Sequence, residues 1–187
     1  MPNLLRAPSR AVRSRFMDST RWQGYRPRPD DIIIGTYGKC GTTWVQRIVS
    51  MLVFKSAAPR PILEDSSWLD LRTRDLTATL ERVEAQTHRR YLKTHLPFDA
   101  LPVYAGVRFI HVGRDGRDAA TSFHNHLANF RPEVIRALNE LSRADEKFGD
   151  DWLPVSESAA EFFSHWVADG GGAFGDEGAS FFSVENS

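Results

Sequence analysis

The chain has 187 residues, 41% of them apolar, and its 24 basic side chains balance 24 acidic ones to a formal net charge of zero. That length supports one buried core and one α/β domain, the neutral balance gives no general attraction to nucleic acid or an anionic membrane, and the single cysteine, Cys40, excludes an intrachain disulfide. No stretch approaches the roughly 20 apolar residues of a membrane span, and without a secretory segment the expected compartment is the cytoplasm.

Charge is unevenly spread. Residues 1–28 carry Arg6, Arg10, Arg13, Arg15, Arg21, Arg26 and Arg28 against one acid, Asp18, with three prolines and no apolar run of useful length. They read as a flexible, Arg-rich lead-in to a domain that begins near residue 29, in preference to a transit peptide or a nucleic-acid arm. Arginine outnumbers lysine 20 to 4 in the chain, so Lys39 and Lys93, both in the motifs below, come from a small pool.

The β-branched run Ile32-Ile33-Ile34 stops at Gly35. A small-residue turn then carries Lys39, and apolar residues recur at helical spacing from Thr42 to Phe54. The order is strand, anion-cradling loop, helix. The first turn of a helix leaves backbone N–H groups without partners, at the positive end of the macrodipole. Gly38 and Gly41 permit close backbone approach, Thr42 and Thr43 add hydroxyls, and Lys39 adds a full charge, so the ligand should be phosphate-like. The nucleotide-triphosphatase loop G-x-x-x-x-G-K-[ST] does not fit, because Cys40 stands where that motif needs glycine and Lys39 precedes Gly41.

Residues 59–70 read as a loop with Trp68 and Leu69 as anchors, and residues 71–86 as a surface helix with Leu76, Leu80 and Val83 inward. Arg89 to Pro97 is a short strand ending in Lys93, Thr94 and His95. Ligands of open α/β sheets sit beyond such strand ends, where the loop at Lys39 also points. Val107 to Gly113 is a third strand. It turns through Arg114 into a helix that Asp115 or Asp118 can cap, and the planar fork of Arg114 suits a dianionic phosphate. His124 and His126 lie two apart on that helix and point away from each other, so no metal site is assigned. Helices follow over residues 132–148 and 156–168, the second with Ser156 as its expected cap. Residues 169–187 form a Gly-rich, acidic tail without periodicity, expected to be disordered.

The order Thr36-Tyr37-x-Lys39-x-Gly41-Thr42-Thr43-Trp44 closely resembles the 5′-phosphosulfate-binding loop of the soluble sulfotransferases, which move a sulfuryl group from 3′-phosphoadenosine 5′-phosphosulfate. Gly38 replaces the proline usual in that family and Cys40 the common serine. Lys93-Thr94-His95-x-Pro97 resembles the family segment that carries the general base, and Arg114 with Ser122, eight residues on, resembles its 3′-phosphate grip.

The resemblance covers residues 21–168 and implies a parallel-sheet, P-loop-like fold. It implies His95 as base, Lys39 and Lys93 as catalytic cations, and the loop from Thr36 to Thr43, with Tyr37, Gly38, Cys40, Gly41 and Thr42, as the phosphosulfate cradle. Trp44 would stack on adenine while Arg114 and Ser122 hold the 3′-phosphate. The acceptor would be a small-molecule or lipid hydroxyl, or an amine, with no metal required and no oligomeric state specified. The family's C-terminal Arg-Lys-Gly segment has no counterpart here, so the fold is expected to be incomplete at the C-terminus. Two alternatives stay open: an inactive, truncated remnant that at most binds nucleotide, and a cysteine phosphatase built on Cys40. The second requires Cys-x5-Arg, whereas Arg47 stands one residue further on, and it leaves Lys39 and His95 unexplained.

Overall fold

The computed structural model describes residues 3–144 and 158–168. Along the chain the elements are β1 (Leu4–Arg6), a 3-10 helix (Ser19–Gly24), β2 (Ile32–Thr36), α1 (Thr42–Phe54), α2 (Ile62–Asp65), α3 (Leu76–Ala85), β3 (Tyr91–Thr94), a 3-10 turn (Phe98–Ala100), β4 (Val103–Tyr104), β5 (Arg108–Val112), α4 (Gly116–Ala128), α5 (Pro132–Arg143) and α6 (Ala159–Ala168). Among the described residues no helix is long and apolar enough to cross a membrane.

The isoleucine run forms β2, the middle strand of a three-stranded parallel sheet in the order β3-β2-β5. Side chains alternate across a strand, so β2 feeds two cores. Ile32 and Ile34 pack with Tyr91 and with Val49 of α1 on one face, while Ile33 joins Leu92, Trp22 and Tyr25 on the other. Register matters most for function. Gly35 pairs with Thr94 and Thr36 with Val112, so the loop after β2, His95 after β3 and Arg114 beyond β5 all emerge at one edge of the sheet. The α/β class with a parallel sheet is the one read from the sequence.

Asp115 caps α4 by accepting the N–H of Arg117 at 2.9 Å. The reciprocal cap of α6 is Ser158 with Glu161, where Glu161 Oε2 accepts the Ser158 N–H at 2.9 Å and Ser158 Oγ accepts the Glu161 N–H at 3.3 Å. Ser156, the expected cap, and the tail from residue 169 lie outside the described residues.

The Arg-rich segment, expected to be a flexible lead-in, is packed. Val12, Phe16, Met17, Trp22 and Tyr25 are buried core residues, and β1 pairs antiparallel with β4. Its arginines donate to main-chain carbonyls: Arg21 to those of Leu69 at 2.7 Å and Arg74 at 2.6 Å, Arg28 to those of Gln86 and Glu84 at 2.6 Å each. Its apolar residues are too sparse to form a run, and each finds the core separately. Beneath them, fully buried Arg90 reaches Asp31, which is 2% exposed and also accepts from the Tyr25 hydroxyl at 2.6 Å and the Arg28 N–H at 2.8 Å. Removing one partner of such a pair strands a buried charge at a cost of about 3–5 kcal/mol, so this network ties the segment to the sheet.

Candidate active site

The loop after β2 is shaped by two left-handed residues, Lys39 (φ 67°) and Gly41 (φ 89°), the latter standing as N-cap of α1. Glycine takes that conformation freely and lysine does not, so Lys39 is held there by its surroundings. Arg114 Nη1 donates to the Lys39 carbonyl at 3.1 Å, clipping the first motif to the third. Among the described residues no side chain caps α1, which leaves its first-turn N–H groups for a ligand.

Lys39, Gly41, Thr42, Thr43, Trp44, Lys93, His95, Arg114 and Ser122 line one cleft of about 400 Å³, together with His126. Four of the sequence-selected residues stand elsewhere. Thr36 lies beneath the cleft, its hydroxyl sharing a short hydrogen bond with that of Thr42. Tyr37 and Gly38 face an adjoining apolar cavity of about 300 Å³. Cys40 is buried in the core, and burial pushes its thiol up despite the nearby Arg114 guanidinium. A phosphatase nucleophile needs the opposite shift and access to the anion, so the structure gives Cys40 neither.

His95 Nδ1 lies 2.7 Å from the Thr36 carbonyl oxygen, which can only accept. The ring therefore donates from Nδ1 and keeps Nε2 as its lone-pair nitrogen. Burial, and then the charge of Lys93, lower the His95 pKa from 6.5 to about 3, against the pull of the Thr36 carbonyl. Lys93 itself falls from 10.5 to about 8, chiefly through burial and also through Lys39, with Asp70 opposing. Trp68 joins these two groups, its ring 4.1 Å from the Lys93 ammonium and edge-on to the His95 imidazole at 4.9 Å. Its indole N–H donates to the fully buried Asp70 at 2.6 Å, and Trp22 donates to the same carboxylate at 3.0 Å.

The apolar cavity shares Lys39, Lys93, His95 and His126 with the anion cleft, so the two meet at His95. Its wall comes from the N-terminal segment (Phe16, Met17), the 68–73 loop (Trp68, Leu71, Thr73), α4 (Phe123) and the region of α5 (Phe130, Val134, Leu138). The sequence motifs missed most of this wall. Isolated apolar residues in an Arg-rich segment carry no period, whereas Val134 and Leu138 do recur at helical spacing in the segment 132–148. The Gly38 departure has a local reason: a Cβ built there would lie 2.4 Å from the Phe123 ring, so α4 packs against the loop where a side chain would stand. His124 and His126 do point apart. The His124 ring meets Phe162 at 5.5 Å, whereas His126 lines the cleft. Among the described residues, no group of three or more His, Cys, Asp or Glu side chains has the geometry to hold a metal ion.

A family model described as "Sulfotransferase domain" matches residues 29–176. The chain is 43% identical over 161 residues to a glycolipid sulfotransferase of Mycobacterium tuberculosis, an alignment covering 83% of this chain and 49% of that protein. It is 31% identical over 120 residues to sulfotransferase 1A1 of Rattus norvegicus, covering 59% and 41% respectively. The chain thus spans about half the length (49%) of the mycobacterial relative it matches. Among solved structures, mouse sulfotransferase SULT7A1 complexed with PAP superposes with a TM-score of 0.50 at 20% identity, over 85% of this chain and 47% of that one, a likeness of fold.

Proposed function

The chain belongs to the sulfotransferase family, and from that premise we propose that it transfers a sulfuryl group from 3′-phosphoadenosine 5′-phosphosulfate to a hydroxyl of a lipid-like acceptor. The observation that carries this reading is the single cleft in which Lys39, Lys93, Arg114, Ser122 and the open N-terminus of α1 surround His95, next to an apolar cavity. Three cations, hydroxyls and free N–H groups suit a ligand with two separated anionic groups, and among the described residues no carboxylate lines the cleft, although Asp118 stands 3.6 Å from the Arg114 guanidinium. Relatives named as glycolipid sulfotransferases, and a structural neighbour complexed with PAP, support the same reading.

The donor supplies, when bound, an activated sulfuryl group and a phosphate leaving group. The chain's residues supply the rest. Thr42, Thr43, the first-turn N–H groups of α1 and Lys39 hold the phosphosulfate. Arg114 and Ser122 hold the 3′-phosphate, and Trp44, 77% exposed at the cleft rim, stacks on the adenine. His95 accepts the acceptor's hydroxyl proton at Nε2, because the Thr36 carbonyl fixes the tautomer and burial with Lys93 keeps the ring neutral. Lys39 neutralises charge growing on the bridging oxygen, and Lys93, anchored on Trp68, assists from the side of His95. The apolar cavity strips water from the acceptor and orients its hydroxyl.

The test is to incubate the protein with the donor and hexyl β-D-glucoside and to follow acceptor mass and nucleotide release together. One sulfuryl group gained per 3′-phosphoadenosine 5′-phosphate released is the expected result. Nucleotide binding without any transfer would reject the catalytic reading and leave a binding module.

A further inference from the structure

Asp70 is fully buried and lines neither the anion cleft nor the apolar cavity, and sulfuryl transfer as derived above gives it no part. Trp68 Nε1 donates to one of its oxygens at 2.6 Å and Trp22 Nε1 to the other at 3.0 Å. Thr94, at the end of β3, adds a side-chain hydrogen bond. Indole nitrogens can only donate, so both oxygens are held as acceptors, as an ionised carboxylate requires. Burial raises the Asp70 pKa, and the hydrogen bonds from Trp68, Thr94 and Trp22 oppose that rise. A carboxylate sealed from water is costly even when hydrogen-bonded, so its charge calls for a use.

The backbone aims that charge at the site. Residues 67–70 run beside β3, where the Lys93 N–H donates to the Ser67 carbonyl at 3.0 Å and Trp68 bridges to Lys93 in parallel. From behind, the Asp18 N–H donates to the Asp70 carbonyl at 2.9 Å, so the N-terminal segment backs the carboxylate. The Trp68 indole is thus pinned at its nitrogen by Asp70 while its face lies 4.1 Å from the Lys93 ammonium. The other titratable groups around Lys93 are Lys39 after β2, His95 beyond its own strand and His126 of α4, all bases; among the described residues Asp70 is the acid that favours its charge, and Arg21 feels the same carboxylate from the N-terminal segment.

Resting on the sulfuryl-transfer reading, we propose that Asp70 is a positioning residue for that reaction: its carboxylate holds Trp68 against Lys93 and supplies the counter-charge that keeps Lys93 an ammonium during turnover. The N-terminal segment, through Trp22, is then part of the support of the site as well as of the core.

The experiment compares wild type with Asp70→Asn, which keeps the shape and removes the charge. In kcat/KM for the donor, with hexyl β-D-glucoside as acceptor, the alkaline decline is expected to move down by about one pH unit, the usual size of one neighbouring charge. The loss against wild type is then about fivefold at pH 8, about twofold at pH 7 and negligible at pH 6, where Lys93 is charged in both proteins. A loss equal at every pH, as a purely structural role would give, overturns the proposal, and so does an unchanged profile. A second readout needs no turnover: the Cε resonances of the four lysines in carbon-13-labelled protein, with Lys93 assigned by its disappearance in Lys93→Arg. Should wild type sulfate nothing, the transfer reading fails, and the Lys93 titration decides the inference: a downward move in Asp70→Asn supports it, and an unmoved titration overturns it. Should Asp70→Asn not fold, 3-benzothienylalanine at position 68 replaces it, since that residue keeps the bicyclic ring and lacks the N–H that Asp70 holds. The Lys93 titration is expected to move down there too, and an unmoved one overturns the proposal.

Discussion

Replacing Lys39 by alanine is expected to lower sulfuryl-transfer turnover by about 10²-fold or more, the typical effect of removing one preorganised donor from a developing negative charge. The loss should fall on kcat more than on KM, since Arg114, Ser122 and the α1 N-terminus still hold the nucleotide. Lys39 differs from an interchangeable surface cation in its backbone, whose φ of 67° is kept by the loop and by the Arg114 contact to its carbonyl. Arginine at position 39 should therefore rescue poorly, because its longer planar head cannot occupy the point an ammonium reaches. Steady-state kinetics on the three proteins check this, and a Lys39→Ala enzyme with unchanged kcat would remove the lysine from the mechanism.

Replacing His95 by alanine is expected to cost about 10²- to 10⁴-fold in kcat, the usual contribution of a positioned base. The pH profile provides a sharper signature. The folded-state pKa of His95 is depressed from 6.5 to about 3, so the ring stays unprotonated throughout the neutral range, and kcat/KM should show no acid limb near pH 6.5. Lys93, depressed to about 8, is charged below that pH and neutral above it, so kcat/KM should decline on the alkaline side. The same shifts fix the sign for stability. Between about pH 3 and 6.5 the unfolded chain binds the His95 proton better than the folded one, so acidification through that window destabilises the fold, and it does so for wild type more than for His95→Ala. A wild-type acid limb at pH 6.5 that vanishes in another histidine variant would reassign the base.

The sequence made the residues of the cleft at Lys39 legible because their placement depends on local order. A strand that stops at glycine, a loop with one lysine and an uncapped helix start are contiguous, and the parallel register then brings His95 and Arg114 to the same edge. The adjoining apolar cavity was far less legible. Phe16, Met17, Leu71, Phe130 and Leu138 reach the cavity from three separate segments, and none belongs to a motif. The N-terminal segment was misread for a related reason. Its order comes from Arg21 and Arg28 hydrogen-bonding carbonyls some 50 residues away in sequence, and from single residues such as Trp22 entering the core, features that leave no periodic trace. Cys40 was weighed as a nucleophile because it precedes a helix, but its side chain turns into the core, a matter of local backbone shape that spacing does not encode.

Segments around residues 39, 95 and 114 are expected to form one site for a nucleotide with two anionic groups. Isothermal titration calorimetry with 3′-phosphoadenosine 5′-phosphate decides this, run on wild type and on Arg114→Ala and repeated with adenosine 5′-phosphate, which lacks the 3′-phosphate. Micromolar binding that weakens about 10- to 100-fold both in the variant and with the shorter nucleotide is the predicted result, the value of a charge-assisted contact. Absence of binding heat in wild type, or equal affinity for the two nucleotides with and without Arg114, would contradict the account.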